Sequence, residues 1–143
     1  MVELISGKIS IDKILRQMED HATGAVVFFL GRVRNHAAGR QVTKMEYHAY
    51  AEMALKKMEE IEKEAKRRWP IKKIMMVHRT GQLQLGEISV AIAVASSHRS
   101  EAFAACRFAI DTLKETVPIW KKEYFVNGDS WVEGVLPKVV DAG

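Results

Sequence analysis

The chain has 143 residues, 48% of them apolar and 28% charged, and carries a formal net charge of +4. That composition is ordinary for a globular protein, and the length suits a single domain over residues 1–143 that buries about two-thirds of its unfolded surface. No apolar run approaches the ~20 residues of a membrane span, no signal-peptide pattern opens the chain, and one cysteine excludes a disulfide framework, so a reducing, cytoplasmic setting is expected.

In chain order, Ser10 is placed to cap a short helix with Ile11, Ile14, Leu15 and Met18 as its buried stripe. After Gly24, the run from Ala25 to Leu30 reads as a strand buried on both faces. The stretch from Gly31 to Gln41 holds three arginines, two glycines and no acid. It reads as a mobile basic loop, either merely solvated or able to hold an anion. From Val42 to His48 polar and apolar residues alternate, which places Thr43, Met45 and Tyr47 on one strand face.

A long helix follows. Ala51, Ala54, Leu55, Met58, Ile61, Ala65 and Trp69 form its apolar stripe, and Glu52–Lys56, Glu59–Lys63, Glu62–Lys66 and Glu64–Arg68 are spaced for i,i+4 pairs. Basic residues gather at Lys66-Arg67-Arg68 and Lys72-Lys73. They suit a helix C-terminus, where cations complement the macrodipole, in preference to a nucleic-acid patch. Pro70 separates this helix from a strand near Ile71–Thr80, and glycines at 81 and 86 lead to another over Ile88–Ala95. In the latter, Ile88, Val90, Ile92 and Val94 alternate with Ser89, Ala91, Ala93 and Ala95. One face can fill a core while the small face admits an element at close range.

The stretch from Val94 to Glu123 organises the rest. Phe103, Cys106, Ile110 and Leu113 recur at helical spacing, Pro118 ends the helix, and Ile119 to Glu123 reads as a short strand. Three helices and several hairpin-like strands indicate an α+β fold, with helices packed against a mainly antiparallel sheet.

Several chemistries are set aside. The sequence has no Walker-type phosphate loop, no GxGxxG fingerprint and no HExxH, and its five histidines lack metal-ligand spacing, so no metal or organic cofactor is expected. His48 and His78 fall in strands and read as structural. His98-Arg99 lie between a buried strand and a helix, where free N–H groups and the dipole favour an anion, unless Ser97 or Ser100 simply caps that helix. Lys114 at the helix end is either a snorkelling lysine or, if it meets Lys121 in one pocket, a base or nucleophile of lowered pKa. Lys122 points to the opposite strand face from Lys121. Cys106 belongs to a buried stripe and is not expected to react.

Several pieces in order carry a family resemblance: Phe29 to His36 (FLGRVRNH), His78-Arg79-Thr80-Gly81, Ser97-His98-Arg99, Asp111-Thr112-Leu113-Lys114, Pro118 to Glu123 (PIWKKE) and Trp131-Val132-Glu133. The chain resembles the large, catalytic subunits of molybdopterin synthases. The resemblance implies an α/β-hammerhead-like fold and a homodimeric core of a heterotetramer. Each end would bind a small ubiquitin-like sulfur-carrier subunit whose C-terminal Gly-Gly bears a thiocarboxylate. Its sulfur goes to cyclic pyranopterin monophosphate, forming the dithiolene. By the same resemblance Lys114 and Lys121 are catalytic. Arg34, His98 and Arg99 hold the phosphate, with the His-Arg pair drawn from the other protomer, and Arg32, Val33, Lys122 and Glu123 add substrate contacts. The tail after Gly134 is short. Two rivals use the same cations differently: a non-catalytic anion- or nucleotide-binding regulatory module, and a nucleic-acid binder acting through Lys66 to Lys73.

Overall fold

The computed structural model describes residues 1–136, so most of the short tail after Gly134 lies outside the described residues. Two sheets form the frame. The first has the order β1 (Val2–Ile5), β5 (Ile71–Arg79), β7 (Ile88–Ser96) and β2 (Ala25–Arg32). Its pairs are antiparallel except β1 on β5, which run parallel. The chain is therefore α+β and mainly antiparallel, as its pattern indicates.

Strand β7 is the centre of the molecule, and its alternation decides what packs where. Val90, Ile92 and Val94 join Ile74 and Met76 in the larger core, beneath α2 (Ala51–Arg68) and α3 (Arg99–Thr116). Ala91, Ala93 and Ala95 turn the other way and meet Ile14 of α1 (Ile11–Gln17) and its C-cap, Met18. Ser10 caps α1 by accepting from the Lys13 N–H at 3.2 Å. The α1 stripe is narrower than expected, because Ile11 and Leu15 are exposed. Strand β2 lies at the sheet edge. It packs Val27 and Phe29 on one face and Phe28 and Leu30 on the other, but these remain only partly buried.

Helix α2 buries Ala54, Met58, Ile61 and Ala65, while Ala51 at its start is exposed. Of the four i,i+4 pairs expected, Glu64–Arg68 forms at 2.7 Å, and Glu62 instead meets the N-terminal ammonium. Helix α3 corrects the stripe read from the sequence. Its buried side is Ala102, Ala105, Cys106, Ala109 and Leu113, and Phe103 is 62% exposed. A row of alanines lets the helix lie close to the sheet, and a phenylalanine in that gap would hold it off.

The second sheet has the order β3 (His36–Ala37), β4 (Arg40–Ala49), β8 (Ile119–Phe125) and β9 (Ser130–Gly134), with β6 (Gly81–Gln84) also paired to β4. The expected basic loop is thus largely structured. Strand β2 runs on through Arg32, and Ala38 (φ 50°) and Gly39 (φ 75°) make a two-residue turn between β3 and β4. Arg40 is occupied by Asp129 at 2.9 Å and by the Phe125 ring. On β4 the buried residues are Val42, Met45 and Tyr47, with Thr43 exposed. A register shift between Val42 and Lys44 inserts one residue and puts Val42 on the face that strict alternation would give to Thr43. No helix among the described residues is long and apolar enough to cross a membrane.

Candidate functional site

The site lies where α3 hands over to the second sheet. Leu113 is buried at the end of the α3 stripe, and Lys114 follows it. Val117 leaves the helix with extended backbone (φ −82°, ψ 126°), as the residue before Pro118 must, and β8 begins at once. In β8, Lys121 and Glu123 share a face by strand alternation. The register then sets Lys121 opposite Tyr47 of β4 on one side and opposite Glu133 of β9 on the other. His78 reaches the same place from β5, its ring edge-on to Tyr47 at 5.0 Å.

Tyr47, His78, Lys121 and Glu133 line a cavity of about 220 Å³, with Leu113, Val117, Ile119 and Gly134 completing its wall. Lys114 and Lys121 both line it. The two lysines differ in charge partners. Lys121 Nζ stands 3.0 Å from Glu123 Oε1, a carboxylate only 2% exposed, and 3.9 Å from Glu133 Oε2. Lys114 has no carboxylate within ion-pair distance among the described residues. Its pKa is lowered, first by desolvation and then by the neighbouring Lys121 charge, with Glu133 opposing. Over the whole residue Lys114 counts as exposed, but its charged end is crowded by protein, and it is that end that governs protonation. His78 is 1% exposed, and burial first, helped by Lys114, brings its pKa down to about 4 against a hydrogen bond with the Arg79 carbonyl.

The arrangement can bind an anionic group and offer it an amine that gives up its proton more easily than a free lysine. No group of three or more potential metal ligands occurs among the described residues.

The other residues singled out from the sequence lie elsewhere in the chain. Arg32 is exposed, with its Nε donating to the Gly86 carbonyl at 3.1 Å. Val33 is buried in the main core, and its backbone bonds Glu87 O at 3.0 Å and Gly86 N at 2.9 Å. Arg34 is exposed. His98 is the N-cap of α3, with no side-chain cap, and Ser97 Oγ turns away to Ala22 O. Arg99 begins the helix, about 22 Å from Lys114 at the usual rise per residue. Within one chain, therefore, His98-Arg99 and the lysine cavity are at opposite ends of α3. Lys122 faces away from the cavity and lies over the Tyr124 ring at 5.0 Å.

Sequence reasoning did not place Tyr47, His78, Glu133 or Gly134 at the site. For His78 a signal existed: it is the one polar residue in the buried run from Ile74 to His78. Glu133 and Gly134 depend on the β8–β9 register, which no local pattern encodes.

Comparison with known proteins gives consistent matches. The profile of the MoaE protein family matches residues 4–116. The molybdopterin synthase catalytic subunit of Nostoc sp. is 48% identical over 126 residues, covering 87% of this chain and 76% of that protein. That of Pyrococcus abyssi is 42% identical over 125 residues, covering 87% and 84%. The crystal structure of molybdopterin synthase from Staphylococcus aureus superposes with a TM-score of 0.87 at 40% identity, covering 92% of this chain and 96% of the other. A complex of subunits 1 and 2 of the molybdopterin-converting factor from Helicobacter pylori aligns with a TM-score of 0.73 at 20% identity, a likeness of fold alone.

Proposed function

The chain is a member of the MoaE protein family, and from that premise we propose that it is the catalytic subunit of a molybdopterin synthase, moving sulfur from a small carrier subunit to a pterin. The observation that carries this reading is the meeting of Lys114 and Lys121 in one cavity, with Lys114 making no ion pair among the described residues.

The carrier is a ubiquitin-like protein whose C-terminal Gly-Gly ends in a thiocarboxylate. A tail without side chains suits a cavity of about 220 Å³. The anionic sulfur gains from Lys114 and attacks a carbon of cyclic pyranopterin monophosphate. The new C–S bond replaces that carbon's C–O bond, the oxygen departing as water or with the phosphate as its ring opens, and an acyl–sulfur link remains. Water cleaves that link, returning a carboxylate on the carrier and leaving sulfur on the pterin. Two such transfers complete the dithiolene. Lys121, held by Glu123, stands beside the pterin carbons. No sulfur is drawn from this chain, whose one cysteine is buried, with its pKa pushed up to about 11 by desolvation.

Phosphate recognition falls to Arg34, His98 and Arg99, with Arg32 and Val33 beside them. Because α3 separates His98-Arg99 from the cavity, a second copy of the chain supplies that pair, making the active unit a homodimer with a carrier at each end. The test is reconstitution with a thiocarboxylated carrier and cyclic pyranopterin monophosphate, following dithiolene formation. Dithiolene is expected. A carrier that is competent with another synthase but yields none here would point to a non-catalytic anion-binding module.

A further inference from the structure

The His78-Arg79-Thr80-Gly81 motif has no assigned role, yet its first residue forms a wall of the cavity. Its ring is fixed on two sides. Tyr47 meets it edge-on at 5.0 Å, and Nδ1 lies 2.9 Å from the Arg79 carbonyl oxygen. A carbonyl can only accept, so Nδ1 carries the proton and donates. In a neutral imidazole that leaves Nε2 with a lone pair. Nε2 has no hydrogen-bond partner among the described residues, and the residue lines the cavity.

Lining the same cavity are Lys114 from α3, Lys121 from β8, Glu133 from β9 and Tyr47 from β4, with Glu123 of β8 behind Lys121 as its ion-pair partner. Glu123 and Glu133 are engaged with Lys121, so among the described residues the donors at the cavity without a hydrogen-bond partner are the Tyr47 hydroxyl and Lys114, and Lys114 is the cation of the two. We propose that His78 is a positioning residue for the sulfur-transfer reaction: its Nε2, left as an acceptor by the Nδ1–H bond to Arg79 and unpaired among the described residues, takes a hydrogen bond from Lys114 Nζ when the carrier tail is seated and so holds that amine toward the cavity interior. Protonation would turn Nε2 into a donor and add a third cation beside two lysines. Burial and the Lys114 charge both disfavour that, so the ring stays an acceptor at neutral pH.

This inference rests on the proposed function, and its test separates the two. His78→Asn keeps an amide near Nδ1 but removes the acceptor at Nε2, whereas His78→Gln places a carbonyl near Nε2. In the reconstituted reaction, His78→Asn is expected to lower kcat at least about 10-fold, with KM for the carrier within about 2-fold of wild type. His78→Gln is expected to recover kcat to within about 3-fold of wild type. Equal losses in both variants, or a His78→Asn enzyme with unchanged kcat, would overturn the role. Nitrogen-15 NMR of the wild-type ring needs neither variant nor turnover. The neutral Nδ1-protonated tautomer is expected at pH 7, and an Nε2-protonated ring would overturn the proposal even if both variants failed to fold. A wild-type protein without turnover but with this tautomer would count against the sulfur-transfer reading and leave the ring geometry standing.

Discussion

Lys114 stands in the cavity with no ion-pair partner among the described residues, and Leu113 beside it, not Lys114, completes the buried stripe of α3. Lys114→Ala should therefore reduce single-turnover dithiolene formation by about 100-fold or more while leaving the melting temperature within a few degrees. Near-normal turnover would remove it from the mechanism. Glu133 raises the Lys114 pKa, so Glu133→Gln should lower it further. If Lys114 acts as the free amine, the rising limb of the pH–rate profile then moves to lower pH, and an unmoved limb would show that Lys114 does not titrate in the reaction. His78 gives a stability test. Its pKa is about 4 when folded and 6.5 as a free side chain, so the unfolded chain binds the proton more readily between those values. Stability from its neutral burial is complete above pH 6.5 and falls as the pH drops toward 4, by about 3 kcal/mol in all. Denaturant titrations at pH 7 and pH 4 should show that loss, reduced in His78→Gln. At this scale the cations were legible because their charge and position relative to a helix end are local facts. Glu133 was not, because its partner is set by strand pairing.

The elements show the same division. The period of α3 is plain in the sequence, but its phase depends on how close the helix comes to the sheet. Large residues at 103 and 110 draw the apolar stripe toward themselves, whereas the close contact is made by Ala102, Ala105 and Ala109. Phe103→Ala should thus change stability by no more than about 0.5 kcal/mol, and Ala105→Leu should cost about 1–3 kcal/mol by overpacking. Chemical denaturation of both measures this, and the reverse order would put Phe103 back in the core. Cys106→Ala should lose on the order of 1 kcal/mol and keep most activity, since the buried thiol is packing material. In β4, the bulge between Val42 and Lys44 defeats simple alternation. Gly134 closes the cavity at φ 130°, and a Cβ there would lie 2.7 Å from Ile119 O and from Trp120 Cα. Gly134→Ala should therefore displace the end of β9 and raise KM for the carrier, and an unchanged KM would show that β9 does not border the tail.

For the whole molecule, the antiparallel core was readable because β7 alternates large and small residues, which dictates a helix layer of different depth on each face. The parallel pairing of β1 with β5 was not, since four residues at the N-terminus carry too little pattern to choose a neighbour. The largest consequence is the separation of His98-Arg99 from Lys114 along α3. If two chains complete each site, mixing Arg99→Ala with Lys114→Ala subunits creates heterodimers with one intact site each. Random exchange should then restore roughly a quarter of wild-type activity. No recovery with exchange demonstrated would place each site within one chain.

The central claim is that sulfur passes from the carrier tail to the pterin through the Lys114–Lys121 cavity and not through this chain's cysteine. It is tested most directly by a single turnover with a carrier whose thiocarboxylate is labelled with sulfur-34, reading the isotopic mass of the dithiolene product. With wild-type protein, both product sulfurs should be heavy, and the Lys114→Ala protein should form almost none. Light sulfur in the product, or undiminished heavy product from the Lys114→Ala protein, would contradict that route.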